Sequence, residues 1–139
     1  TKTLFSGFYK LKKSDQVKDN KIQQTFYFKT QTGDNFCNVN KIDEIDILKI
    51  NVQGFEPNVI KGFSDKIKNN KIKTIIVEFD YSDRYEKNVT ISDLENILVP
   101  YGYTLFDIPL IRKTNNDTLK IKHGYLLFIN KVISQIKTF

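Results

Sequence analysis

The chain has 139 residues, a formal net charge of +6, 40% apolar residues and 13% aromatic residues. That is enough for one domain with a real core, and it argues against an intrinsically disordered chain. No apolar run approaches the ~18 residues that cross a membrane, no signal peptide is visible, and a single cysteine, Cys37, excludes an internal disulfide. The lone cysteine suits a reducing compartment or simply says nothing about it; a cytoplasmic setting is the expectation. The sequence contains no Met, so we expect a trimmed piece of a longer product.

Residues 1–35 read as an irregular, basic lead-in. Within residues 1–30, seven lysines stand against Asp15 and Asp19. Arginine, the usual bidentate reader of phosphate and guanine, occurs only at Arg84 and Arg112. Lysine enrichment without arginine makes nucleic-acid binding a weak reading. The stretch "LFSGFYKL" is an apolar island, and "QQTFYFKT" (residues 23–30) is rich in β-formers and predicts a strand. "QTGDNFCNVNK" reads as a turn-rich connection.

"IDILKINV" (residues 45–52) carries apolar side chains on both alternating faces, the pattern of a strand covered on both sides. Gly54 predicts a tight turn with positive φ. Pro57 suits the first turn of a helix and Glu56 complements its dipole, with Gly62 as the C-terminal stop. Ser64 predicts the cap of a second short helix through "DKIKNN". Residues 73–80 form a short buried strand ending in carboxylates. Ser92 and Glu95 have capping-box spacing and open a helix with Leu94, Ile97 and Leu98 as its apolar stripe; Pro100 and Gly102 end it. "YTLFDI" and "GYLLFINK" are the last two strands.

The order is βαβαββ. Right-handed crossovers make the strands near 45–52, 73–80 and 103–108 mutually parallel, with the strand at 124–131 antiparallel to its neighbours. The expected fold is α/β: a partial doubly wound sheet, mostly parallel with an antiparallel last strand.

"IDILKINVQGFEPNVIKGF" resembles the signature of FkbM-type S-adenosylmethionine-dependent methyltransferases, K-I-D-V-E/Q-G-x-E-x-x-V-L-K-G. Lys49, Ile50, Val52, Gln53, Gly54, Glu56, Val59, Lys61 and Gly62 match it as they stand. "IIVEFD" resembles the family's next strand, "YGYTLFDI" the one after, and "GYLLFINK" its ending. The resemblance covers roughly residues 36–131, with a weaker echo in "LFSGFYKL". It implies a Rossmann-like methyltransferase sheet, S-adenosylmethionine as cofactor and a small-molecule acceptor such as a sugar. It assigns residues 36–139 to the C-terminal half of such a domain. Two departures stand out. Asn51 replaces the family's usual Asp, and the half with a glycine-rich loop and a ribose-binding acid has no counterpart here. The chain alone is therefore not expected to bind the cofactor.

In open α/β sheets ligands bind beyond the carboxyl ends of the strands. Asn51 and Gln53 end one strand there, and Glu78 and Asp80 end the next. Glu78 and Asp80 are the candidate catalytic carboxylates, with Glu78 preferred; Asn51, Gln53 and Glu56 are the candidate substrate-binding residues; Gly54 and Gly62 shape turns. Each also has a plainer reading. Asn51 and Gln53 could satisfy turn backbone, Glu56 the helix dipole, and Asp80 a turn. His123 is the only histidine and reads as structural, Cys37 lacks a nucleophile's companions, and no metal site is assigned. The alternatives to a methyltransferase are a non-catalytic binding or scaffold module of the same fold and a basic nucleic-acid-binding domain. An apolar strand at 45–52 without its upstream neighbour is expected to be covered by residues 23–30, to self-associate, or to be completed by a longer protein.

Overall fold

A computed structural model of the chain describes residues 27, 29–81, 89–113 and 121–133. The described elements run in the order α1 (Gly33–Val39), β1 (Ile45–Ile50), α2 (Glu56–Lys61), α3 (Ser64–Lys68), β2 (Ile72–Asp80), α4 (Ile91–Leu98), a 3-10 turn (Val99–Tyr101), β3 (Tyr103–Lys113) and β4 (Ile121–Asn130). The strand expected at residues 23–30 falls largely outside the described residues. Among the described residues no helix is long and apolar enough to cross a membrane.

The four strands form one sheet in the order β1-β2-β4-β3. β1 and β2 are parallel, with Ile50 opposite Val77; β2 and β3 each pair antiparallel with β4. β1, β2 and β3 therefore all run one way and β4 the other, as the βαβαββ order predicts. "Mostly parallel" nevertheless describes direction and not pairing. β4 inserts between β2 and β3, so only one of the three pairings is parallel. A final strand with no crossover helix can reach that slot by an antiparallel return.

The helices pack on one face. Ile60 of α2, Ile67 of α3, and Leu94 and Leu98 of α4 join Ile75, Val77 and Phe79 of β2 and Leu126 and Phe128 of β4 in a single core cluster. These β2 and β4 residues alternate along their strands, so they share one face of the sheet. On the other face Ile76, Leu127 and Ile129 are only half-buried, and Ile47 of β1 is 62% exposed. The expectation that β1 is covered on both sides is thus corrected among the described residues. Of its six residues only Ile50 is buried. Among the described residues, the helices of this core cluster lie on one side of the sheet.

Local chemistry explains the boundaries and several corrections. "QTGDNFCNVNK" contains the helix α1, not only turns. Thr32 caps it, accepting from Asn35 N at 3.2 Å. Asp34, one residue inside α1, reaches across to cap α3: its carboxylate accepts from Asp65 N at 2.8 Å and Lys66 N at 3.1 Å. Ser64 does not cap α3; it is the first helical residue and makes no side-chain cap bond. The capping box of α4 is Thr90 with Asp93, two residues before Ser92 and Glu95. Gly62 does end α2, but with φ −67° and not in the left-handed region. A Cβ there would stand 3.1 Å from the Val59 carbonyl. Gly102, at φ 84°, is the left-handed stop that ends the 3-10 turn.

Candidate active site

Because β1 and β2 are parallel neighbours, their carboxyl ends lie side by side. The chain leaves β1 through Val52, Gln53, Gly54 and Phe55, with Phe55 N donating to Val52 O at 3.4 Å. Gly54 has φ 95°, as the sequence predicts, and Gln53 has φ 54°. Two successive positive φ values are the pattern of a type I′ turn. A non-glycine residue in this region costs about 1–3 kcal/mol and persists only where its surroundings hold it.

Glu56 supports the turn from inside. Its side chain is buried, and Oε1 accepts from Val52 N at 3.0 Å. Burial pushes its carboxyl pKa up, and the charge of Asp80 adds to that; hydrogen bonds from backbone N–H groups at Glu56, Val52 and Gly54 oppose it.

Gln53 is held by its amide. Nε2 donates to Asn51 Oδ1 at 3.0 Å and to Glu78 Oε2 at 2.9 Å. Asn51 Nδ2 in turn donates to the Tyr125 hydroxyl at 3.0 Å. Glu78 and Tyr125 are direct cross-strand partners of β2 and β4. The Lys49 ammonium lies 5.4 Å from the centre of the Tyr125 ring, within cation–π range. One step further along the same face, Asp80 stands opposite His123, and His123 opposite Arg112 of β3.

The structure thus joins Asn51, Gln53 and Glu78 in one hydrogen-bonded chain. It places Asp80 on the same side of β2, two residues on, and sets Glu56 beneath the turn, where its carboxylate is spent on backbone. Tyr125 and Lys49 were missed as site residues. Tyrosines at strand positions read as core, and only the insertion of β4 beside β2 brings Tyr125 to the site. Among the described residues there is no group of three or more metal-type side chains. Cys37 is buried and lines a shallow depression with Asn38, Lys41, Ile42, Asp43 and Lys66, beside the amino end of β1 and away from this site.

The family model described as the Methyltransferase FkbM domain matches residues 5–105 of the chain. Comparison with curated proteins and with solved structures gave no match. The matched span is most of the chain and contains β1, the Gln53–Gly54 turn and β2, the elements that carry Asn51, Gln53 and Glu78, and on this match the chain belongs to the FkbM methyltransferase domain family.

Proposed function

We propose that this chain serves S-adenosylmethionine-dependent O-methylation of a sugar or other small hydroxylated acceptor, with the carboxyl ends of β1 and β2 as its acceptor side. The observation that carries this reading is the side-chain sequence Tyr125–Asn51–Gln53–Glu78. It lies where open α/β sheets hold ligands, and it holds a left-handed glutamine in place. Methylation of a hydroxyl needs the oxygen aligned with the methyl group and a base for its proton. Asn51 is neutral and cannot take a proton. Glu78 is the base in this reading, with Asp80 second. Asn51 and Gln53 orient the acceptor, and Glu56 shapes the turn that carries them.

S-adenosylmethionine supplies the methyl group in this family. The described residues do not fit it as a cradle. Their one strand–glycine–helix turn has its Val52 N–H taken by the buried carboxylate of Glu56. In this reading residues 36–139 make up the acceptor half, and the glycine-rich loop and ribose-binding acid lie outside them.

Two measurements test this. Titration calorimetry of the 139-residue chain with S-adenosylmethionine is expected to give weak binding or none; stoichiometric micromolar binding would show that the cradle is misplaced. The full gene product, assayed for S-adenosylhomocysteine release with a panel of monosaccharides and glycosides, is expected to turn over and to lose about a hundredfold in rate with Glu78→Gln. An unchanged rate removes Glu78 from the role of base. No turnover with any acceptor favours the non-catalytic module, to which Asn51 in the family's Asp position points.

A further inference from the structure

We propose that Tyr125 is a substrate-binding residue whose phenolic proton is aimed out of the protein, toward an oxygen of the hydroxylated acceptor, and that Asn51 sets this direction. The inference rests on the acceptor-side reading above and adds to it a specificity-determining hydroxyl.

The direction follows from counting protons along the hydrogen-bonded chain. A carboxylate has none to give, so Glu78 accepts from Gln53. The second amide proton of Gln53 goes to Asn51 Oδ1. With its oxygen engaged, Asn51 turns its NH₂ group to Tyr125, and the Tyr125 oxygen accepts. That is the one hydrogen bond Tyr125 makes within the described residues, so its own proton meets no acceptor there. The ring is half-buried, set in β4 directly opposite Glu78, with Lys49 over its face. A rigid phenol with a spare donor, one cross-strand step from a carboxylate, suits a ligand that offers an oxygen lone pair to one and an O–H to the other. A polyol or sugar has both.

The departure at Asn51 then has a chemical meaning. Aspartate at this position could only accept. Gln53 could still donate to it, but Tyr125 would have to turn its proton inward to make the same contact. Asparagine reverses the polarity of that single bond and leaves the phenol as an outward donor.

The test uses the 139-residue chain and binding, not turnover. The probes are methyl glucoside and methyl galactoside with their monodeoxy analogues, followed by amide chemical shifts at Gly54, with Gly102 as a remote control. The parent chain is expected to bind at least one glycoside with a shift at Gly54. Tyr125→Phe, which keeps the ring, is expected to weaken binding about fivefold to tenfold, one hydrogen bond's worth. Asn51→Asp should weaken it similarly, with the remaining amide spectrum unchanged in both variants. Against the deoxy analogue that lacks the accepting oxygen, Tyr125→Phe and the parent should bind alike, which a merely structural role would not produce. Equal affinity of either variant for the intact glycoside overturns the proposal, and so does a parent chain that binds no glycoside. If glycosides bind with this pattern but the full gene product releases no S-adenosylhomocysteine, the methyl-transfer reading fails and the Tyr125 assignment stands.

Discussion

At the scale of single residues, Glu56 shows how a motif position can serve the backbone. Its place in the signature, two residues after Gly54, invites a substrate or helix-dipole role. In the fold it is buried and accepts the Val52 N–H. Burial holds its proton to higher pH in the folded chain than in the unfolded one. The stability that this proton linkage contributes is fully present below the ordinary glutamate value. It is lost as pH rises through the raised folded value. Glu56→Gln keeps an oxygen for Val52 and removes the titration. Urea unfolding of parent and variant between about pH 4 and about pH 7 should show the parent losing stability relative to the variant as pH rises. A stability difference that stays flat over that range would rule out the burial account.

At the scale of elements, capping decides what is robust and what was hard to read. α3 is only five residues long and has no side-chain cap of its own. Asp34 supplies one from α1, thirty-one residues away in sequence from Asp65. Asp34→Ala should therefore cost about 1–2 kcal/mol, at the upper end for a cap because two donors lose their partner. Chemical denaturation with an unchanged m-value would register it; a loss below a few tenths would mean water replaces the carboxylate freely. The same contact shows why sequence reading stopped where it did. Strand positions were legible because β-formers in short runs, as in residues 73–80, carry their own period. Gly54 was legible because the turn geometry leaves few other residues. α1 was not, since its glycine, aspartate and asparagines favour turns locally and it is held by contacts with α2 and α3. Among these are the Asp34 bonds and Asp34 N donating to Gly62 O at 2.8 Å. The start of α4 was misplaced by two residues because Thr90-Asp93 and Ser92-Glu95 offer the same box spacing. The burial of Leu94 and Leu98 is compatible with either, so side-chain periodicity could not choose. Tyr125 was out of reach for another reason: its partnership with Glu78 depends on strand order, which no local pattern encodes.

At the scale of the whole molecule, the sheet is asymmetric. Among the described residues, one face is closed by α2, α3 and α4, and the other presents Ile76, Leu127 and Ile129 half-buried, with Ile47 exposed. Among the described residues β1 is an edge strand that pairs only with β2. An edge that is both unpaired and apolar is a template for another strand, and natural edges are commonly blunted by lysine or other charges. β1 carries the exposed charges Asp46 and Lys49 but leaves Ile47 open between them. The isolated 139-residue chain should therefore self-associate as its concentration rises, and Ile47→Lys should shift it toward monomer without loss of fold. Sedimentation velocity over a concentration series, with far-UV circular dichroism as the fold control, separates the outcomes. A monomer that persists at every concentration would mean that this edge is already covered by the chain's own residues. Monomer shifted by Ile47→Lys would place the contact at β1, the strand that also carries Asn51 and Gln53 to the site. Association and ligand binding at that end would then compete, so a glycoside that binds beside Tyr125 should itself favour the monomer.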